Sequence, residues 1–186
     1  LDTKKLQAWK QSGCDNMSGG VNQLLKGNSV TIIPGEASFK DAKTLEVETG
    51  GKTETVTAKN FVVATGSRPI EIPAFPFDEK DIMSSTGALA LETLPKSIAV
   101  IGGGYIGLEI GSYMRQLGVE VNVFEAADGL LKGVADPDCV QVVARKLKKD
   151  GVKVFLKSLA QGFTKKGKQF EVKVTTDGKD QTFTVD

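Results

Sequence analysis

The chain has 186 residues, with 24 lysines and arginines against 23 acidic residues and a formal net charge of +1. Because these charges are interspersed, no basic stripe predicts nucleic acid or a membrane as a partner, and small molecules or proteins are expected. The sequence contains no histidine, which excludes the commonest general base and the commonest zinc ligand. Any acid–base chemistry within these residues therefore falls to Glu, Asp, Lys or Tyr.

The length allows one domain or two small ones with a real core. The chain starts at Leu1 without an initiator methionine or a leader, which predicts an internal piece of a longer protein. Cys14 and Cys139 lie far apart and form neither a metal-type nor a Cys-x-x-Cys spacing. We therefore expect two small buried or half-buried side chains, with no metal site and no redox pair.

The helical spacing of apolar residues predicts one long or broken helix over residues 4–26, which ends at Gly27-Asn28 and is weakened by internal glycines. Short β-rich runs separated by turn residues follow it. They predict an antiparallel meander with its clearest hairpin at Gly50-Gly51. The predicted strands cover residues 30–33, 37–40, 44–48, 53–58 and 61–64.

Residues 67–95 form a proline-containing segment in which Pro69, Pro73 and Pro76 exclude a long helix. It is predicted to be an irregular connector with a short strand near Ile82 and a short helix over residues 86–91.

The rest of the chain alternates strands and helices. Strands are predicted over residues 97–101, 119–124 and 152–155, and helices over residues 104–117 and 136–149. Such alternation predicts right-handed crossovers and a parallel sheet, so the fold class is α/β with a Rossmann-like domain. The chain ends in further β-structure, with a hairpin between residues 170–175 and 181–185 that turns at Asp177-Gly178.

The most informative motif is Gly-x-Gly-x-x-Gly at residues 102–107, which directly follows the apolar strand at 97–101. Gly102 allows the tight turn, Gly104 lets the backbone approach a phosphate, and Gly107 lets the helix pack close to the strand. The helix N-terminus adds a positive field. The motif predicts a dinucleotide pyrophosphate site, and a plain tight connection is the alternative.

Glu125 ends the next apolar strand, about twenty residues beyond the glycines. A carboxylate there binds the adenosine ribose hydroxyls and repels a 2′-phosphate, which predicts a preference for NAD over NADP. A solvated strand end is the alternative interpretation of Glu125.

Longer runs of residues carry a more specific signal. Residues 84–91 read Ser-Ser-Thr-Gly-Ala-Leu-Ala-Leu, followed by Leu-Pro-Lys at 94–96 and Val-Ile-Gly-Gly-Gly-Tyr-Ile-Gly-Leu-Glu at 100–109. Residues 61–67 look like an apolar strand that ends in Ala-Thr-Gly-Ser, and residues 70–78 contain a Pro-x-x-Pro-x-Asp pattern. Over its whole length the chain resembles the dihydrolipoamide dehydrogenase family of FAD-dependent pyridine nucleotide-disulfide oxidoreductases.

This resemblance implies an enzyme that oxidises dihydrolipoamide on a lipoyl carrier and passes two electrons through a disulfide and FAD to NAD. It implies lipoyl-bearing subunits of 2-oxoacid dehydrogenase or glycine cleavage complexes as partners, and a homodimer for the full-length protein. It also implies a location in the mitochondrial matrix or a related organelle, or in the bacterial cytoplasm.

The resemblance also implies roles for individual residues. Tyr105 holds the position that covers the flavin ring and Glu109 the position that faces the flavin, while each also fits a purely structural role on its helix. Ala160 matches a position on the adenine side of NAD. The implied NAD-binding residues are Gly102, Gly103, Gly104, Tyr105, Ile106, Gly107, Glu109, Glu125 and Ala160, and the implied FAD contacts, chiefly through backbone, are Ala37, Thr65, Gly66 and Ser67.

Departures from the family pattern bear on activity. The sequence lacks a first Gly-x-Gly-x-x-Gly for FAD, a Cys-x-x-x-x-Cys disulfide and a His-Glu pair. No catalytic residue is therefore assigned, and the chain as given is expected to be inactive. The implied domains are the C-terminal part of an FAD-binding domain with the connector, residues 1–92, and an NAD-binding domain over residues 93–186 that lacks its last strand.

Two other interpretations stay open. Mercuric and glutathione reductases belong to the same superfamily, but a glutathione reductase is expected to have arginines after the second strand, whereas residues 125–128 read Glu-Ala-Ala-Asp. A non-catalytic NAD-binding module or a redox-sensing domain would keep the glycine turn and Glu125. Such a module has no use for Ala64-Thr65-Gly66.

Overall fold

The computed structural model describes residues 2–186, which divide into two compact units. One unit is Ala8–Arg68, and the other joins the chain before Ala8 to Pro69–Asp186. The division falls near the start of the predicted connector. The boundary near residue 92 between an FAD-binding and an NAD-binding domain stays a prediction.

Helix α1 spans Thr3–Gly27 without a break, which confirms the predicted helix. At its start, the Thr3 hydroxyl donates to the carbonyl of Glu92 at 2.5 Å and the Gln7 amide donates to the carbonyl of Leu91 at 2.8 Å. None of the residues described in α1 is buried.

Three antiparallel strands follow α1 in the order β1-β2-β3. Strand β1 spans Glu36–Asp41, β2 spans Thr44–Thr49 and β3 spans Lys52–Thr57. The predicted hairpin is confirmed, because Gly50 and Gly51 connect β2 to β3 with φ angles of 56° and 81°. Glycine adopts this left-handed region without a steric penalty.

The two outer runs of the predicted meander, residues 30–33 and 61–64, are not strands, so that part of the prediction is wrong. Val30 donates its N–H to the last turn of α1 at 2.9 Å, and the Phe61 ring packs edge-on against Phe39 with centroids 5.2 Å apart. A strand requires a hydrogen-bonded neighbour, and neither run has one within residues 2–186. Apolar patterning alone was therefore insufficient to decide whether these two runs form strands.

Residues around Ile82 form a turn and not the predicted strand. The Asp78 carboxylate accepts hydrogen bonds from the backbone N–H groups of Lys80, Asp81 and Ile82 at 2.8 to 2.9 Å. These bonds, that of Ile82 first, lower the pKa of Asp78 below its ordinary value of 3.8.

Helix α2 spans Ser85–Ala90 and matches the short helix predicted in the connector. Ser84 caps it by accepting the N–H of Thr86 at 3.1 Å, and its hydroxyl donates to Glu79 at 2.7 Å. The Glu79 carboxylate also accepts the N–H of Gly87 at 2.8 Å.

A parallel sheet is built from strand β4 (Ser97–Ile101), strand β5 (Glu120–Phe124) and strand β6 (Lys153–Phe155), in the order β4-β5-β6. Helix α3 (Tyr105–Gln116) connects β4 to β5, and helix α4 (Pro137–Asp150) connects β5 to β6. The predicted alternation is confirmed, with bounds shifted by a residue or so.

The chain ends in a second antiparallel sheet of order β7-β8-β9. Strand β7 spans Ser158–Lys166, β8 spans Gln169–Thr176 and β9 spans Lys179–Val185. The predicted hairpin is confirmed, since Asp177 and Gly178 connect β8 to β9 with φ angles of 48° and 76°. The sequence analysis did not delimit β7.

Strand β5 separates two apolar cores because its side chains alternate. Val121 and Val123 face a core shared with α3 and α4, whereas Phe124 faces aromatic side chains of the β7-β8-β9 sheet and the connector. Each fully buried side chain of this size stabilises the fold by about 1.5–3 kcal/mol. The aromatic rings packed around Phe124 or next to one another are Phe75, Phe155, Phe163, Phe170 and Phe183.

Cys14 and Cys139 are both exposed free thiols, so the expectation of buried or half-buried cysteines is wrong. Cys14 lies on α1, which buries none of its described residues, and Cys139 lies in the first turn of α4. Among the described residues, no helix combines the length and the apolar character that crossing a membrane requires.

Candidate functional site

The glycine turn joins the end of β4 to the start of α3. Gly102 has a φ of 108°, which favours glycine, and its N–H donates to the carbonyl of Phe124 at 2.8 Å. Gly104 is the N-cap residue of α3 and has no side chain to accept the first amides of the helix. These amides and the helix dipole are the groups that bind a phosphate at a helix start.

The surroundings of the glycines differ according to position. A Cβ on Gly107 would lie 2.5 Å from the carbonyl oxygen of Gly102 and 3.1 Å from Val100, so only glycine permits this approach of α3 to β4. A Cβ on Gly104 would meet no atom within 4 Å. The backbone of Gly104 therefore faces open space, which a phosphate could fill.

Gly111 is a packing residue that the sequence analysis missed. A Cβ there would lie 3.3 Å from Cγ1 of Val121, so α3 also approaches β5 closely. Its spacing of four residues from Gly107 places both glycines on one face of α3, and this spacing could have revealed the packing role of Gly111.

Glu125 lies immediately after β5, with a half-buried side chain directed at the glycine turn. One carboxylate oxygen, Oε2, accepts the N–H of Gly103 at 2.6 Å, and the other, Oε1, accepts the N–H of Ala127 at 2.7 Å. A carboxylate oxygen has two lone pairs, so each retains capacity to accept a further hydroxyl. Because both carboxylate oxygens accept backbone hydrogen bonds, this geometry does not fit the interpretation of Glu125 as a free, solvated strand end.

Two cations lie near the same edge of the sheet, which the sequence analysis did not note. Lys132 Nζ is 2.7 Å from Asp128 Oδ1, and this hydrogen bond is the first cause of a pKa of Asp128 below its ordinary value of 3.8. Lys157 contributes a smaller electrostatic effect in the same direction. The positive charge of Lys132 is therefore paired with Asp128, three residues beyond Glu125.

The remaining predicted NAD contacts occupy different environments. Tyr105, Ile106 and Glu109 are exposed along the first turns of α3, and Tyr105 and Glu109 share one helix face. Ala160 is half-buried on β7 and packs against the aromatic core around Phe124. Glu125 thus contacts the glycine turn directly, whereas Ala160 packs against the aromatic core.

The predicted FAD contacts lie in the unit Ala8–Arg68. Ala37 is exposed on β1, and residues Thr65, Gly66 and Ser67 are exposed in irregular backbone. Gly66 has a φ of 73°, a left-handed conformation that favours glycine. Within residues 2–186, no group of three or more acidic or cysteine residues is arranged to hold a metal ion.

The fold defines an α/β protein in which a glycine turn joins a strand of the parallel sheet to the helix that follows it. The chain belongs to the pyridine nucleotide-disulphide oxidoreductase family, whose sequence profile matches residues 3–186.

Two relatives that match the whole chain are dihydrolipoyl dehydrogenases. The protein from Geobacillus stearothermophilus is 44% identical over 186 residues, covering 100% of this chain and 39% of the relative. The protein from Bacillus subtilis is 40% identical over 187 residues, with the same coverage of 100% and 39%. The chain therefore spans about two fifths of the length of these relatives.

Solved structures share the fold. LpdA from Mycobacterium tuberculosis superimposes with a TM-score of 0.89 at 24% identity, covering 100% of this chain and 41% of that one. The Cu(II) complex of the HOCl-induced flavoprotein disulfide reductase RclA from Escherichia coli has a TM-score of 0.68 at 23% identity and covers 100% and 44%.

Proposed function

We propose that this chain is the NAD-binding region, with the adjoining part of the FAD-binding region, of a dihydrolipoyl dehydrogenase. Family membership and 44% identity to a dihydrolipoyl dehydrogenase support this assignment. The proposed division places the FAD-binding part with the connector in residues 1–92 and the NAD-binding part in residues 93–186.

The observation that carries the proposal is the pairing of a fixed carboxylate with an open glycine. Glu125 is held 2.6 Å from the N–H of Gly103, whereas nothing lies within 4 Å of a Cβ built on Gly104. A pyrophosphate fits over Gly104 at the positive end of α3, and the adenosine ribose fits beside Glu125.

Charge then decides between the two nicotinamide cofactors. The Glu125 carboxylate accepts hydrogen bonds from both ribose hydroxyls of NAD, but it repels the dianionic 2′-phosphate of NADP. Lys132 offers little compensation because its charge is paired with Asp128. NAD is therefore the proposed cofactor, and when bound it accepts the electrons that the flavin carries.

On the flavin side, Ala37 and the segment Thr65, Gly66 and Ser67 are proposed to contact FAD through backbone groups. Tyr105 and Glu109 are exposed on α3 and are proposed to face the flavin side of the nicotinamide site. These residues bind and position cofactors, and none is assigned proton transfer.

For the whole protein we propose oxidation of dihydrolipoamide on lipoyl-bearing subunits of 2-oxoacid dehydrogenase or glycine cleavage complexes. The proposed assembly is a homodimer in the mitochondrial matrix, a related organelle or the bacterial cytoplasm. Curated relatives named dihydrolipoyl dehydrogenase support this reaction class.

The alternative functions have less support. A glutathione reductase-type NADP site is disfavoured by the acidic stretch from Glu125 to Asp128. A flavin-free NAD module does not account for Ala64-Thr65-Gly66, and the family profile that matches residues 3–186 covers that segment as well as the glycine turn.

Calorimetric titration of the full chain with NADH and NADPH tests the proposal. We expect NADH to bind about ten to a hundred times more tightly, because mismatched polar sites commonly discriminate by about 2–3 kcal/mol. Gly104→Val should abolish binding of both cofactors by placing a branched side chain where the phosphates approach. Equal affinities in the unmodified chain, or unchanged binding in the variant, would contradict the proposed site.

A further inference from the structure

The loop between β5 and α4, residues 125–136, contacts the glycine turn at Gly103, a residue to which the glycine motif assigns no role. Both polar groups of the Gly103 residue are engaged by this loop. Its N–H donates to Glu125 at 2.6 Å, and its carbonyl accepts the N–H of Leu131 at 3.1 Å. Leu131 reaches this position with a φ of 49°, a left-handed conformation that leucine rarely adopts.

Leu130 fills the space beside Gly103. The leucine is 5% exposed, and its Cδ2 would lie 2.5 Å from a Cβ built on Gly103. The φ of Gly103 is not among the positive values of the described glycines, so the backbone conformation there does not demand glycine. A side chain at Gly103 would therefore force the buried Leu130 to move.

We propose that Leu130 and Leu131 are positioning residues for dinucleotide binding. Together with Glu125 they hold the Gly103 residue on three sides, which fixes the direction in which Gly104 and the first amides of α3 face. A turn ordered in advance binds a ligand more tightly than one that must be ordered on binding. This inference rests on the proposed function, because it assigns the loop a role at the same site.

A matched pair of leucine variants of the full chain tests the positioning role. Leu130→Ala removes the contact with Gly103, while Leu147→Ala truncates a leucine of the same core on α4 that is 3% exposed. Both should lower the midpoint of thermal unfolding. We expect only Leu130→Ala to weaken NADH binding markedly, by about tenfold, since ordering the backbone of one residue on binding has a cost of that size.

The conservative variant Leu130→Met should bind NADH within about twofold of the unmodified chain, because methionine refills the space. Equal loss of NADH affinity in Leu130→Ala and Leu147→Ala would overturn the positioning role and leave only a contribution to folding. Unchanged affinity in Leu130→Ala would overturn it as well.

A double-mutant cycle tests the contact between Gly103 and Leu130 itself. Gly103→Ala should lower both the unfolding midpoint and the NADH affinity, because its methyl group meets Leu130 at 2.5 Å. Adding Leu130→Ala should restore part of both losses, since the truncation vacates that space. Strictly additive losses would contradict the contact.

Hydrogen exchange of the Gly103 amide separates this inference from the proposed function. In the unliganded chain, Leu130→Ala should speed exchange of the Gly103 amide by about tenfold. Leu147→Ala should change the exchange rate of this amide no more than it changes the rates of the other core amides. If the unmodified chain bound no NADH, the proposed function would fail, and the exchange measurement would still decide the role of the loop. Unchanged exchange of Gly103 in Leu130→Ala would overturn that role.

Discussion

The carboxylate of Glu125 and the backbone amide of Gly103 lie 22 residues apart in the chain and 2.6 Å apart in the structure. Parallel pairing causes this, because Ile101 of β4 stands opposite Phe124 of β5 and the residues that follow each strand become neighbours. The acid therefore shapes the glycine turn in the unliganded protein. This structural role is additional to the proposed contact with a ribose.

Replacing Glu125 by alanine should reduce the preference for NADH over NADPH to less than about threefold, because the charge that repels the 2′-phosphate is gone. It should also destabilise the unliganded chain by about 2–3 kcal/mol, since the N–H groups of Gly103 and Ala127 lose their acceptor. Calorimetry with both cofactors and denaturant unfolding measure the two effects.

Glu120→Ala is the matched control for that variant, because Glu120 is the acid at the opposite end of β5 and pairs with Lys153 at 2.5 Å on the surface. It should leave the cofactor preference unchanged. If Glu125→Ala retained the full preference, Glu125 would be removed from the proposed site.

Asp128→Asn should also narrow the preference for NADH over NADPH, in this case by raising the affinity for NADPH. The variant frees the Lys132 ammonium, whose Nζ lies 2.7 Å from Asp128, to attract a 2′-phosphate. Because exposed ion pairs are weak, we expect a gain in NADPH affinity of about two- to fivefold with NADH affinity unchanged. The double variant with Lys132→Met should lose this gain, and a gain that persisted there would rule out Lys132 as its source.

Gly107→Ala should destabilise the chain by about 1–3 kcal/mol, since its Cβ would lie 2.5 Å from the carbonyl oxygen of Gly102. Gly13→Ala is the control, because Gly13 lies within α1 with no atom near its Cβ position. Alanine there should stabilise by about 0.5–1 kcal/mol through helix propensity. Denaturant unfolding decides, and a harmless Gly107→Ala would contradict the close approach of α3 to β4.

Asp78→Asn should make the stability of the chain less sensitive to acid. The carboxylate of Asp78 has a pKa lowered below 3.8 by backbone N–H donors, so its ionised form contributes stability above that pH. This contribution is lost as the pH falls through the lowered pKa of the folded state. Thermal unfolding measured from neutral pH into acid should show the unmodified chain more stable than the variant at the neutral end, with the difference shrinking as the pH falls. A difference independent of pH would contradict the assignment.

The chain on its own should produce no NADH from dihydrolipoamide and NAD, even with added FAD. Its sequence has no histidine, and its two thiols, Cys14 and Cys139, are both free and exposed. The proposed electron path requires a disulfide and a base. The purified chain should also be colourless, because only backbone contacts to FAD are proposed within it. Turnover above an FAD-only control, or a yellow protein after gel filtration, would contradict this prediction.

Local patterns predicted the elements whose stability depends on neighbours in the chain. The helical spacing of apolar residues predicted α1, and the alternation of apolar strands with helices predicted the parallel sheet. The same reasoning failed for residues 30–33 and 61–64, since a strand depends on a partner that is remote in sequence. It also failed for Cys14 and Cys139, because burial is a property of the packed fold.

The sequence by itself predicted the type of site: a glycine turn after an apolar strand, followed by Glu125 at the distance expected for a ribose-binding acid. Only the tertiary structure decided how that site is held together. Parallel register brings Glu125 to Gly103, and the loop that carries Leu130 and Leu131 closes over the same residue. Contacts of this kind join residues that local periodicity treats as independent, so they exist only once the sheet has formed.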